Sequence, residues 1–465
     1  MMLTLLGAAN TAIAAGAGAP HLDGGALNLA WGIPFAGILL SIAVFPLVLP
    51  TIWHHHFGKI SAFWALSFLI PFALTQGISL TLFELLHVFC LEYIPFIMLL
   101  LALFTVTGGI RVTGSLVGTP SLNLFILLIG TLIASWMGTT GAAMLLIHPL
   151  LKANEGRRYQ AHTVIFFIFL VANIGGSLSP IGDPPLFLGF LKGVNFFWPT
   201  THMLAPMLFT ASVLLVLYYA IERVLYARES IAPVKIDAAQ EKLGITGKVN
   251  FLLLALILAL VLMSGFWKSG INFTLYHVEM SLQNILRDIG LLLVAFLSWV
   301  STEKSERSLN GFSWFPIVEV AKLFAGIFLT IIPVIAILKA GETGALGAII
   351  KLVSTSDGQP NNMMYFWATG ILSSFLDNAP TYLVFFNTAS GDPQMLMGPL
   401  ANTLLAISAG AVFMGANTYI GNAPNFMVRS IAVDRGVAMP SFFGYMLWSG
   451  LILIPLYTIV GLIWF

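Results

Sequence analysis

The sequence predicts an all-α polytopic membrane protein made of two related halves of inverted topology. Of its 465 residues, 58% are hydrophobic and only 8% are charged, with a mean hydropathy of +0.94. No soluble domain with a solvated surface has this composition. Two pairs of motifs also recur at one spacing of 239 positions. Gly- and Pro-interrupted apolar segments in corresponding halves are typical of secondary transporters, which bind their solutes between broken helices.

Charge and cysteine content exclude several other classes. The net charge of +1 provides no basic surface for nucleic acid, so we expect no nucleic-acid partner. The single cysteine, Cys90, excludes an intrachain disulfide and a multi-cysteine metal cluster.

Apolar runs of about 20 residues, the length that a spanning helix needs, predict ten membrane spans. They cover residues 29–50, 60–80, 92–110, 162–193, 203–225, 249–267, 285–301, 314–338, 397–428 and 441–464. Residues 1–28 precede them as an N-terminal segment. Its first 19 residues are apolar and end in small residues but lack a basic start, so a signal peptide and an extra helix both remain open.

Two further segments are too long for one span and are broken in the middle. Residues 120–151 are interrupted at Gly138-Thr-Thr-Gly141, and residues 361–389 at Asp377-Asn-Ala-Pro380. Each is predicted to be a re-entrant helical hairpin. Irregular backbone at membrane depth is tolerated only in protein or beside a cavity, so both breaks should face one polar site.

The predicted organisation is a first repeat at residues 29–225, a cytoplasmic linker at 226–248 and a second repeat at 249–465. Most basic residues then lie on one side, which the positive-inside rule makes cytoplasmic. They are Lys59, Arg111, Lys152, Arg157, Arg158, the stretch 223–248, Lys304, Arg307, Arg429 and Arg435. On this count the two hairpins enter from opposite sides of a bacterial-type inner membrane.

Two carboxylates interrupt the repeated motifs. Residues 135–141 align with 374–380, and residues 181–187 align with 420–426. In this alignment Gly138 faces Asp377, and Asp183 faces Asn422, so each half contributes one acidic residue. An ionised carboxylate within a membrane segment costs several kcal/mol of free energy unless it is paired or solvated. Such a residue is therefore a candidate for a function. Both aspartates also precede helix starts and could cap them, which is compatible with a transport role.

Hydroxyl and amide side chains surround these breaks and form an oxygen-rich set that suits sodium. The predicted ion or substrate site contains Asp183, Asp377, Asn378, Thr381, Thr139, Thr140, Ser177, Ser179, Gly182, Asn417, Thr418, Gly421 and Asn422. Sodium itself is expected at Asp183, Asp377, Asn378 and Asn417. For any one of these hydroxyls and amides, a hydrogen bond to local backbone is an equally good explanation.

Other polar residues in the apolar runs are weaker candidates. Glu319 and Lys322 are spaced i and i+3 and are expected to form an ion pair or a proton relay. His54-His55-His56 is interpreted as a polar turn next to the membrane, since adjacent helical histidines point in different directions and cannot share a metal.

The motifs resemble a known group of proteins. Asn173-Ile-Gly-Gly-Ser-Leu-Ser-Pro-Ile-Gly-Asp-Pro-Pro185 and Asp377-Asn-Ala-Pro-Thr381 are similar to the paired motifs of the ion transporter superfamily. The resemblance is strongest to its NhaD-type sodium/proton antiporters and extends to the CitMHS-like citrate branch and to the arsenite-pump and dicarboxylate branches. The chain departs from the group in two places. The Ser-Asn-Thr hairpin tips of dicarboxylate carriers are absent, and Pro184-Pro185 replaces a threonine-rich continuation.

The resemblance implies a homodimer in which a transport domain with both hairpins and both broken helices moves against a scaffold. It implies site roles for Asp183, Ser179, Gly182, Asp377, Asn378, Thr381, Asn417 and Asn422.

The leading functional prediction is sodium/proton antiport without an enzymatic activity or a cofactor. Sodium and a proton would compete for the same two carboxylates, and this competition gives exchange. The alternative is sodium- or proton-coupled transport of citrate or another small carboxylate. A distant alternative is an intramembrane aspartyl protease, suggested by the Gly182-Asp183 step, although Pro180 stands where such enzymes carry glycine.

Overall fold

The computed structural model describes residues 20–114, 116–229 and 243–465, and within these residues the chain is almost entirely helical. The prediction for residues 1–19 and most of the predicted linker, residues 230–242, lie outside the described residues. Residues 20–28 form one short turn of 3-10 helix, at which Gly24 packs against the backbone of Ala336.

The described residues of the first half form nine α-helices, and a five-residue π-helical turn at Phe89–Tyr93 joins the third to the fourth. They are α1 Ile33–Val48, α2 Pro50–Gln76, α3 Ile78–Val88, α4 Ile94–Thr107, α5 Pro120–Met137, α6 Thr139–Ala153, α7 Ala161–Leu170, α8 Pro184–Leu191 and α9 Trp198–Ala227.

The second half contains the remaining helices of the described residues. They are α10 Val249–Phe266, α11 Leu282–Ser301, α12 Lys304–Leu309, α13 Phe315–Thr330, α14 Ile332–Lys339, α15 Gly347–Leu352, α16 Asn362–Phe375, α17 Asn378–Ala389, α18 Pro393–Met397, α19 Ala401–Met414, α20 Ala423–Asp434 and α21 Phe442–Trp464.

Two short antiparallel ribbons accompany the helices. The first pairs β1 Arg111–Thr113 with β2 Gly244–Thr246, so the end of the predicted linker is fixed to the first half by strand pairing. The second is the hairpin β3 Asn272–Leu275 and β4 Val278–Ser281.

The predicted breaks are confirmed as helix ends, and they repeat along the chain. Helix α6 begins at Thr139 and α17 at Asn378, while α8 begins at Pro184 and α20 at Ala423. Both pairs of starts are separated by the spacing of the sequence motifs. The first break occurs at Gly138, whose φ of 81° is a conformation that side chains with a Cβ rarely adopt. The inverted orientation of the halves in a membrane stays a prediction.

Ten helices of the described residues are long and apolar enough to span a bilayer, which confirms the all-α polytopic class. Two predicted boundaries were wrong. The continuous segment Ile78–Thr107 begins well before the predicted span at 92–110, because Glu92 is buried and paired with Lys192 rather than solvated. Residues 54–56 lie inside α2, which begins at Pro50, so they do not form the predicted polar turn.

The helices pack around two large hydrophobic cores, and each core mixes elements of both halves. The first core holds together what we call the hairpin bundle: α5, α6, α7, α9, α16, α19, α20 and α21. The second holds together the flanking bundle: α1–α4, α10, α11, α13 and α14. Helices α8 and α17 contribute side chains to both cores. The two sequence repeats are therefore not separate packing units.

Candidate functional site

The carboxyl group of Asp183 lies at the centre of the candidate site. Its side chain is 2% exposed and accepts three hydrogen bonds. Thr139 Oγ1 and Asn422 Nδ2 each donate to Oδ1 at 3.1 Å, and Asn378 Nδ2 donates to Oδ2 at 2.6 Å. All three donors are uncharged. The structure thus brings four of the predicted site residues into direct contact.

Each of these four residues stands at the start of a helix. Thr139 and Asn378 are the first residues of α6 and α17, and Asp183 and Asn422 precede α8 and α20. Neither Asp183 nor Asn422 caps its own helix with its side chain, so capping, which was the alternative explanation for the two aspartates, does not account for Asp183. Helix N-termini carry a partial positive charge and stabilise anions. Four of them meet at one buried carboxyl group.

Several predicted ligands instead hold the helix breaks against the hairpins. Ser179 Oγ donates to the carbonyl of Ser135, and Thr418 Oγ1 donates to the carbonyl of Ser374, its counterpart in the second half. Ser177 Oγ donates to the carbonyl of Ile174 at 2.8 Å. These hydroxyls satisfy backbone groups, which was the alternative explanation of their presence.

Close glycine packing makes both breaks possible. A Cβ on Gly182 would lie 2.2 Å from the carbonyl oxygen of Gly176, and one on Gly421 would lie 2.6 Å from that of Gly415. Gly182 also accepts a hydrogen bond from the backbone N–H of Thr139 at 2.9 Å, which ties the first hairpin to the first break. Gly182 and Gly421 therefore shape the site without contributing a side chain to it.

Asp377 lies at the tip of the second hairpin and is half-buried. Its carboxylate accepts the backbone N–H of Ala379 at 3.0 Å, which caps α17, and its carbonyl accepts the hydroxyl of Thr381 at 3.0 Å. Asp377 does not hydrogen-bond Asp183, whereas its chain neighbour Asn378 does. Of the two predicted carboxylates, Asp183 thus accepts three side-chain hydrogen bonds, whereas Asp377 caps α17.

Two amide oxygens of the predicted sodium ligands are buried and have no hydrogen-bond partner, Asn378 Oδ1 and Asn417 Oδ1. Asn417 is positioned by its Nδ2, which donates to Ser374 Oγ at 2.9 Å. An unpaired buried oxygen costs about 1–3 kcal/mol, so each is a suitable ligand for a cation or a donor that arrives during function.

A cavity of about 90 Å³ opens beside Asp183, between the two bundles. The hairpin bundle lines it with residues 137–141, including Thr140, and the chain before and after Asp183 adds residues 180–184. Its opposite wall consists of apolar residues of α4 and α13. The volume exceeds the roughly 15 Å³ that one water needs but is below the roughly 300 Å³ of drug-sized ligand sites. The cavity suits an ion or a small solute.

The predicted pairing of Glu319 with Lys322 is wrong. Glu319 Oε1 accepts a hydrogen bond from Trp53 Nε1 at 3.2 Å, while Lys322 Nζ lies 5.4 Å from the ring centroid of Phe57. Both side chains turn toward α2 on the flanking bundle, because α2 packs along α13 and supplies an indole donor and an aromatic face. A proton-relay role for them stays a prediction.

The sequence analysis missed two polar groups of the hairpin bundle. Asn173 Nδ2 donates to Asn425 Oδ1 at 2.7 Å and so connects the two helix breaks. Its position in the Asn-x-Gly-Gly motif was the available signal. Away from the site, Glu222 of α9 is fully buried. It binds Arg157, in the loop after α6, at 2.5 Å and His162, in α7, at 2.6 Å. The sequence analysis had counted Arg157 only as one of the basic residues on the cytoplasmic side.

Comparison with known families agrees with this geometry. A family model described as "Putative citrate transport" matches residues 24–465, nearly the whole chain. The chain belongs to this family. The CitMHS-like branch of the sequence resemblance is thereby confirmed, and the chain is a multi-pass membrane protein of a transporter family. No curated protein matches the sequence.

Proposed function

We propose that the protein is a proton- or sodium-coupled transporter of citrate or a similar small carboxylate, and that Asp183 is its coupling carboxylate. The observation that carries the proposal is the meeting of four helix N-termini at this one buried carboxyl group. The family supports the carboxylate substrate. The sequence analysis had ranked sodium/proton antiport first, and the family favours the alternative.

Electrostatics explain why an anion and a cation would travel together. Each helix N-terminus is equivalent to about half a positive charge, so four of them contribute about two. The carboxylates of Asp183 and Asp377 offset this when both are ionised. Once protons or sodium ions neutralise these carboxylates, the partial positive charge of the helix ends is no longer balanced, and the site attracts an anionic substrate. Binding of the cation therefore promotes binding of the carboxylate.

The buried amide oxygens favour sodium as one coupling ion. Asn378 Oδ1 and Asn417 Oδ1 lack partners, and sodium prefers oxygen ligands of this kind. A proton would bind Asp183 directly. The proton and the sodium ion have the same electrostatic effect, because each reduces the negative charge of the site.

The position of the site between the bundles supports alternating exposure. Helices α8 and α17 begin at Asp183 and Asn378 and contact both cores. We propose that the hairpin bundle moves against the flanking bundle and exposes the site first on one face and then on the other. A homodimer in a bacterial-type inner membrane is part of this proposal.

Sodium/proton antiport remains a second candidate, since no lysine, arginine or histidine hydrogen-bonds Asp183 among the described residues. A site without a basic residue can exchange cations alone. The aspartyl protease has no comparable support, because Asp377 caps α17 and forms no hydrogen bond with Asp183.

Flux measurements in proteoliposomes separate these functions. Uptake of labelled citrate is measured under an inward proton gradient and, separately, an inward sodium gradient, with a pH-sensitive dye inside the vesicles. Uptake driven by either gradient, and abolished in Asp183→Asn, is the expected result.

Empty vesicles and vesicles with Thr140→Val protein serve as controls, since Thr140 lines the cavity without bonding Asp183. Sodium-driven proton movement without citrate uptake would replace the proposal with antiport. Citrate uptake that continues unchanged in Asp183→Asn would remove Asp183 from the mechanism.

A further inference from the structure

A second cavity, of about 150 Å³, lies at the opposite ends of two of the helices that begin at Asp183. Helix α6 begins at the site and reaches this cavity at His148 and Lys152, and α20 reaches it just after its last residue, at Arg435. At about 1.5 Å per residue, His148 lies about 14 Å along α6 from Thr139. The flanking walls come from β1 and from residues 309–310.

The lining of this cavity is strongly basic. Arg111, His148, Lys152 and Arg435 line it, and no aspartate or glutamate does so within the described parts of the chain. The rest of the lining consists of backbone, apolar side chains and Asn310. All three permanent cations fall on the side of the membrane that the sequence predicts to be cytoplasmic.

The positive charge of the cavity is only partly neutralised. Arg111 is engaged with Glu306, its Nε donating to Oε2 at 2.8 Å. Lys152 Nζ has only a long contact of 3.4 Å to the carbonyl of Gly114, and the guanidinium of Arg435 forms no hydrogen bond or ion pair with a described residue. Lys152 and Arg435 also face the negative ends of α6 and α20, but this interaction leaves their N–H donors available.

His148 supplies a second, independent observation. Its Nδ1 is buried and has no hydrogen-bond partner among the described residues. A buried, unpartnered ring nitrogen is costly, and in the protonated ring it is a hydrogen-bond donor. A ligand that accepts hydrogen bonds would pair with Lys152 and Arg435 in the cavity that His148 also lines.

We propose that this cavity is a binding site for a small polyvalent oxyanion, distinct from the site at Asp183. Carboxylate and phosphate oxygens share the required chemistry, since lysine and arginine donors bind both. The occupant would join α6 and α20 of the hairpin bundle to β1 and the turn at residues 309–310. It would thereby hold the predicted cytoplasmic ends of two helices whose other ends form the Asp183 site. The inference does not require the transport activity proposed above.

The test uses the purified full-length protein in nanodiscs of phosphatidylcholine at constant ionic strength. Its unfolding temperature is measured against inorganic phosphate and, separately, citrate, for the unsubstituted protein and for Lys152→Gln and Arg435→Gln. A ligand that binds only the folded state stabilises it by RT ln(1 + [L]/Kd), so the unfolding temperature rises with ligand concentration. We expect both anions to stabilise the protein, with the apparent affinity about tenfold weaker in each variant, the loss of one charge-assisted hydrogen bond.

Lys304→Gln is the matched control, because Lys304 is an exposed cation outside the cavity. It should respond as the unsubstituted protein does, and Asp183→Asn should keep its phosphate response. Nanodiscs with added phosphatidylglycerol distinguish the source of the oxyanion. A lipid headgroup in the cavity would itself stabilise the unsubstituted protein more than it stabilises Arg435→Gln. It would also abolish the response to added phosphate.

Equal phosphate and citrate responses in the unsubstituted protein and in both cavity variants would overturn the proposal, as would the absence of any response in either lipid. A response that Asp183→Asn loses and Arg435→Gln keeps would place the anion at the central site instead.

Discussion

Asp183 and Asn422 occupy equivalent positions in the two halves, 239 residues apart, and are joined by a 3.1 Å hydrogen bond. The other two donors to Asp183, Thr139 and Asn378, are equivalent to each other at the same spacing. Equivalent residues of two repeats touch only near the axis that relates them. The candidate site is thus symmetric in position and asymmetric in charge, with one acidic residue where strict symmetry would place two.

Asn422→Asp should destabilise the protein by about 3–5 kcal/mol, because it adds an uncompensated buried charge beside Asp183. The double variant Asp183→Asn/Asn422→Asp returns to one carboxyl group among amide and hydroxyl donors and should recover most of this loss. Thermal unfolding of both proteins measures the effect. A double variant no more stable than the single one would contradict the symmetric arrangement.

Thr139→Val should impair cation-coupled citrate uptake much more than Thr140→Val. Thr139 donates to the carboxyl of Asp183, and a hydrogen bond to a charged group contributes about 1.5–3 kcal/mol. Thr140 is its neighbour and lines the cavity but makes no such bond. Initial rates of citrate uptake in proteoliposomes compare the pair, and equal rates would show that the Thr139 bond has no part in transport.

Gly182→Ala and Gly421→Ala should each destabilise the protein by about 1–3 kcal/mol, the usual cost of overpacking. Their added Cβ atoms would lie 2.2 and 2.6 Å from backbone oxygens that cannot move aside. Gly450→Ala in α21 is the control, because nothing lies within 4 Å of its added Cβ. The measurement is thermal unfolding in detergent, and a similar effect for all three substitutions would refute the packing argument.

Arg157→Met should cost about 3–5 kcal/mol of folding free energy, because it removes the main partner of the buried Glu222. Arg111→Met removes a pair whose side chains are 26% and 21% exposed, so it should cost no more than about 1 kcal/mol. Denaturant unfolding of the two variants tests the contrast, and similar losses would argue against a structural lock at Glu222.

Acid should selectively weaken the contact between the linker and the first half. Hydrogen bonds from Arg111 and Thr246 lower the pKa of Glu306 below its ordinary value of 4.5. Because the folded pKa is the lower one, this stabilisation is complete above pH 4.5 and is lost as the pH falls through the folded value. Thr246→Val removes one donor at 2.6 Å and should reduce the loss of stability between pH 6 and pH 3. An unchanged pH profile would contradict this prediction.

Local signals in the sequence were sufficient for the helix breaks. Gly138 interrupts an apolar run with a residue that tolerates positive φ, and prolines follow Asp183 and Asn422 at the first turns of α8 and α20. The start of α3 was not predictable in the same way. Glu92 looks like the start of a span until its partner Lys192, 100 residues away, is known.

The sequence by itself determined the membrane class, the repeat, the broken helices and two candidate carboxylates, Asp183 and Asp377. These features follow from composition, periodicity and turn-forming residues, which act over a few positions. Only the tertiary structure decided that Thr139 and not Thr140 contacts Asp183, and that Ser179 and Thr418 bind backbone. Each of those contacts joins residues 44 positions apart. They are set by how each hairpin packs against the helix break of its own half, and no local pattern encodes them.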